Sequence, residues 1–231
     1  MLRKLSSQNF LIVLSIVVWV CIVIWRGSTH AQQRQFENIP EPLSATTQSF
    51  IQASDQEFVY RLLLIWLQQF DVQSGHYISY RELNYENLTA WLTVLEQMSP
   101  QSHYPMLLAT RIYTKVADQQ RLRLMLEFIY QQYQINPEKN WRWLAEATVQ
   151  ARHQLQDLQL ALSFAETLAK APEEEIPYWV RDMRLTILED MGEFEQVKLL
   201  VGGLLANKAI SDPNEIRFLN ILLERLQKNN N

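Results

Sequence analysis

Residues 9 to 25, NFLIVLSIVVWVCIVIW, form a run of 17 positions without a charge. At about 1.5 Å of rise per residue a helix of this length covers roughly 25 Å, close to the lower limit for crossing a bilayer core. Ile and Val fill positions 12, 13, 16, 17, 18, 20, 22, 23 and 24, a β-branched content that lipid tolerates better than a water-soluble helix does. The pattern predicts a transmembrane helix that enters the bilayer through residues 10–25, within an anchor segment of residues 1–31. Beyond it the pattern changes twice. Residues 32–53 show no helical period and carry Pro40 and Pro42 around Glu41, which favours extended backbone and predicts a tether. From residue 54 to 228 apolar positions recur at helical spacing between short polar breaks.

The starts of these helices are readable. Ser54 and Glu57 have the spacing of a capping box, and Phe58, Leu62, Ile65, Trp66 and Phe70 would form the buried face of the helix that follows. Asn84, Asp118, Asn136 and Asp157 precede apolar-periodic segments as caps, and Pro105 and Pro137 suit first turns. Ser102 stands just ahead of YPMLLATRIYTKVA. Glu173 to Glu175 after Pro172 would open a helix running through Tyr178, Val180, Met183 and Ile187, with acids at its positive end. Gly192 would end it. Gly202-Gly203 would let the closing helix, with Phe218, Leu219, Leu222 and Leu223, approach closely, and about nine helices are expected in this part of the chain.

Pro100, Pro137, Pro172 and Pro213 fall at intervals of 37, 35 and 41 residues, the scale of helix-hairpin repeats. The segment Met191-Gly192-Glu193-Phe194-Glu195-Gln196-Val197 resembles the turn and second-helix start of a tetratricopeptide repeat. Asp157-Leu158-Gln159-Leu160-Ala161, ending at Pro172, resembles the same feature. The resemblance spans about residues 102–209. With Gly192 at the family's turn glycine, Leu185 falls where the family has a small residue, and no unit carries Trp-x-x-Leu-Gly. It implies an all-α protein: an irregular tetratricopeptide-like α-α superhelix behind the anchor, of a family whose members mostly hold other proteins.

Composition narrows the function. Residues 32–231 carry 18 basic against 25 acidic residues, a net of −7, which argues against a nucleic-acid partner. Cys21, inside the apolar run, is the single cysteine, so an intramolecular disulfide and a thiolate metal site are both excluded. His30, His76, His103 and His153 are scattered, and no HExxH, GxSxG or phosphate-binding glycine loop occurs. The sequence therefore names no catalytic residue, no metal ligand and no cofactor, and the expectation is a non-enzyme.

Candidate partner contacts are aromatic. The segment 71–84, DVQSGHYISYRELN, combines His76, Tyr77, Tyr80 and Arg81, types that give large amphipathic contact area. The competing reading is a cap over the first hairpin. Tyr130, Tyr133 and Trp141 gather near the Asn136-Pro137 corner, while Trp143, Leu144 and Ala147 read as a core seam. Arg3 and Lys4 before the apolar run orient the amino terminus to the cytoplasm. The expected protein is thus single-pass in an inner membrane, with a periplasmic repeat domain that acts as a scaffold or adaptor for other envelope proteins. Thr29-His30-Ala31 supports an alternative in which the run is an export signal and is removed, giving a soluble periplasmic protein. A regulatory subunit of an envelope enzyme is the remaining alternative.

Overall fold

The computed structural model describes residues 14–22, 38–42, 55–70, 82–172, 176–206, 210 and 212–228. The chain divides into two units, Met1–Glu37 and Asn38–Asn231. In the first, residues 14–22 are helical and every one of them is exposed. Among the described residues no helix is long and apolar enough to cross a membrane. The expected span, 10–25, runs past these nine residues at both ends.

The second unit is built of helices alone among its described residues. They are α1 (Gln56–Gln68), α2 (Tyr85–Met98), α3 (Tyr104–Leu107), α4 (Gln119–Ile135), α5 (Pro137–His153), α6 (Leu158–Ala169), α7 (Tyr178–Arg181), α8 (Met183–Asp190), α9 (Phe194–Ala206) and α10 (Pro213–Lys228). Asn84, Asp118, Asn136 and Asp157 cap α2, α4, α5 and α6, each accepting the backbone N–H three residues on. Each such bond satisfies a donor the helix cannot pair internally and contributes about 1 kcal/mol. The cap of α1 is Asp55 rather than Ser54: its carboxylate accepts the Phe58 N–H at 3.1 Å. Glu57 pairs with Arg61 at 2.9 Å instead of closing a capping box.

Two expected helices are broken. The segment after Ser102 begins as α3, widens into a π-type turn over Leu108–Ile112 and tightens to 3-10 over Tyr113–Lys115. That irregular backbone leaves carbonyls for neighbouring side chains. Gln150 donates to the Thr110 carbonyl at 3.0 Å, Gln154 to that of Thr114 at 2.7 Å, and Tyr85 to that of Tyr113 at 2.8 Å. The second broken helix starts only after Pro177 and is interrupted at Asp182. Residues 173–175, expected to open it, lie outside the described set.

Packing is pairwise: α1 on α2, the irregular extension of α3 on α4, α5 on α6, and α8 on α9. Successive pairs stack, with α5 lying between α4 and α6, and α10 closing on α9. One core runs from Ile39 to Ile187, and a smaller one joins Leu185, Leu188, Val197, Val201, Leu219, Leu222 and Leu226.

Three expectations change here. On α1 the core face is Tyr60, Leu64 and Leu67, with Trp66 edge-on to Phe70 and Trp91; Phe58, Leu62 and Ile65 are exposed. The helix is apolar nearly all round, so the position of α2 selects the buried stripe. Gly202 and Gly203 are exposed, and a Cβ on either would meet nothing within 4 Å, so they permit no close approach. Nor is the tether free throughout. Residues 38–42 dock against α2 through backbone and side-chain hydrogen bonds that bury Ile39.

Candidate partner-binding cleft

The first helices of successive pairs are cross-linked side by side. Tyr60 donates its hydroxyl to Ser102 Oγ at 2.6 Å between α1 and the start of α3. Arg111 and Glu146 pair at 2.9 Å between the α3 extension and α5, and Arg152 donates to Asp190 of α8 and to Thr186 Oγ1. These links tie successive first helices together, and a cleft of about 1040 Å³ lies at the Arg111–Glu146 pair.

The wall of the cleft is the outward stripe of α5, where Glu138, Trp141, Arg142, Ala145, Glu146 and Val149 recur at helical spacing. Pro100, Gln101 and His103 border it from the turn before α3, and Arg111 and Trp179 come from the two neighbouring first helices. Its surface is therefore indole and aliphatic, with charges fixed between them. The Arg142 guanidinium lies 5.1 Å from the centre of the Trp141 ring, within cation–π range. Trp143 lies beside His103 at 6.4 Å between ring centres, and its buried indole N–H finds no acceptor among the described residues. Trp179 is 55% exposed and Val149 45%.

The ion pairs differ in setting. Lys139 and Glu96 meet at 2.6 Å with side chains only 10% and 8% exposed. Burial raises the Glu96 pKa above its ordinary value, although the Lys139 hydrogen bond and charge pull the other way. Burial also raises Glu146, against the opposing charges of Arg111 and Lys115. Arg111 is well exposed and keeps a guanidinium edge toward solvent. Among the described residues no group of three or more His, Cys, Asp or Glu is placed to hold a metal ion.

Of the expected contact residues that are described, Tyr130, Tyr133 and Trp141, Trp141 alone lines the cleft. Tyr133 is buried, and Tyr130 stacks on Phe164 at 5.2 Å with the rings 15° apart. Both belong to α4, the second helix of its pair; Tyr130 is half-buried against the main core, and neither lines the cleft. His76, Tyr77, Tyr80 and Arg81 lie outside the described residues. Trp143, read as core, is half-buried and lines the cleft, while Leu144 and Ala147 are buried as expected. Arg111, Glu146, Val149 and Trp179 were not legible as site residues. Each becomes one only because three helices remote in sequence are brought side by side. Comparison with protein-family models, curated proteins and solved structures finds no match to the chain.

Proposed function

We propose that the chain is a membrane-anchored helical-repeat adaptor of the bacterial cell envelope, which grips a segment of a partner protein in the tryptophan-lined cleft. The observation that carries this reading is the cleft itself. Three indoles and a valine line about 1040 Å³ on the helices that repeat along the stack. A space of that size lies at the upper end of small-molecule pockets and is large enough for several side chains of a peptide. Trp and Arg dominate the energetics of protein interfaces, and this cleft is lined by Trp141, Trp143, Trp179, Arg111 and Arg142.

The likeness to tetratricopeptide repeats supports a protein partner, as does the net negative charge of residues 32–231. The charge-free run 9–25 supports retention in the inner membrane, with the repeat domain in the periplasm.

The test is crosslinking in intact cells, detergent extraction and affinity recovery of the full chain beside its Trp141→Ala and Trp179→Ala variants. A defined envelope protein should be recovered with the parent chain and lost at least tenfold in the Trp179 variant, whose melting temperature should be unchanged because the side chain is exposed. Equal recovery with all three chains overturns the cleft as the binding surface. An intact mass lacking the first 31 residues overturns the anchor and supports the exported soluble form.

A further inference from the structure

Residues 38–42 are held at the amino end of α2 as a bound ligand would be. Asn38 Oδ1 accepts the Asn84 N–H at 2.7 Å, and Asn38 Nδ2 donates to the Glu82 carbonyl at 3.1 Å. Asn87 Nδ2 donates to the Ile39 carbonyl at 2.8 Å, and Trp91 Nε1 donates to the Pro40 carbonyl at 2.9 Å. The side chain of Ile39 is 2% exposed and belongs to the main core. Two successive carbonyls and one side-chain amide are therefore each matched by a group 44 to 51 residues away, and one apolar side chain is buried in the main core. Pro40 restricts the backbone of Ile39 to extended conformations, which lowers the ordering cost of docking.

We propose that this strap is a clamp that sets how far the repeat domain can stand from the bilayer. The proposal rests on the anchor reading of residues 10–25. Twelve residues, 26–37, separate Trp25 from Asn38, so a clamped chain spans thirteen steps and reaches about 45 Å at most, at ~3.5 Å per step. Were the domain first held at Asp55, twenty-nine residues would intervene, thirty steps, and the ceiling would rise to about 105 Å. Docking five residues thus removes more than half of the available reach. It also makes the turn into α2 the point at which the domain is held.

The test uses the full chain in lipid nanodiscs, with Cys21→Ser and a donor dye on Gln97→Cys, an exposed position of α2. Energy transfer to acceptor dyes in the lipid headgroups reads the stand-off, and hydrogen exchange of the Asn84 amide reads strap docking. Ile39→Asp should speed Asn84 exchange at least tenfold and lower the transfer efficiency. Asn38→Ala, at an exposed position, should shift both readouts in the same direction by less, and it guards against misfolding. Faster Asn84 exchange with unchanged transfer overturns the clamp while leaving the anchor intact. Unchanged exchange in both variants overturns the strap itself. Failure of the parent chain to stay in nanodiscs overturns the anchor and the stand-off with it, even if Asn84 is protected.

Discussion

Asp182, at the break between α7 and α8, is 4% exposed, and its Oδ2 has no hydrogen-bond partner among the described residues. Burial, reinforced by the Glu215 carboxylate and opposed by Arg181 and Arg184, raises its pKa from an ordinary 3.8 to about 6. A carboxyl that ionises less readily in the folded state favours folding below pH 3.8 and costs stability as pH rises from there through 6. Urea unfolding should therefore find Asp182→Asn more stable than the parent chain by on the order of 1–2 kcal/mol at pH 7, after screening by solvent and the two arginines, and equal to it in acid. The Lys139–Glu96 pair makes the opposite case. Lys139→Met leaves a carboxylate buried without its cation and should cost about 3 kcal/mol, whereas adding Glu96→Leu should recover most of that loss. A double-mutant cycle in urea checks both values. Neither residue stands out in the sequence, because a lone Lys and a lone Glu 43 positions apart carry no mark of burial.

At the scale of the element, local chemistry wrote the helix boundaries. Asn84, Asp118, Asn136 and Asp157 cap where their spacing from apolar runs places them, since a cap needs only a short acceptor and the next three residues. Faces were less legible. The sequence QEFVYRLLLIWLQ presents apolar residues around most of α1, and helical spacing alone admits Phe58, Leu62 and Ile65 as readily as Tyr60, Leu64 and Leu67. The glycines divide in the same way. Gly192 has φ +79°, a conformation that follows from ending α8 in a tight turn, while the exposed Gly202 lies inside α9 with no contact to protect. Gly192→Ala should cost about 1 kcal/mol, and Gly202→Ala should gain about 0.5–1 kcal/mol from helix propensity. Thermal unfolding of the two variants should move the midpoint in opposite directions.

Across the whole molecule, the cleft and the division of the core are products of stacking. The main core ends near Ile187, and α9 and α10 rest on a separate cluster around Val197, Val201, Leu219 and Leu222. Leu222→Ala should cost about 3 kcal/mol. It should also accelerate amide exchange in α9 and α10 well before α4 and α5 respond, because those helices share the larger core. Uniform acceleration through all helices would mean that the two clusters unfold as one.

The sequence by itself determined the helical class, the apolar run, the helix caps and the interval of the hairpins, all of which are set by local pattern, by breaks and by propensity along the chain. Trp141 stood out in the sequence because it is an indole beside an arginine at a helix start, and it lines the cleft. Tertiary structure decided the rest. It turned Tyr130 and Tyr133 inward, chose the buried stripe of α1, drew Asn38 to Pro42 out of the tether, and placed Trp179 and Arg111 beside α5. Each of these outcomes depends on which distant surface comes to lie against a residue, and period and propensity within a segment carry no information about that surface.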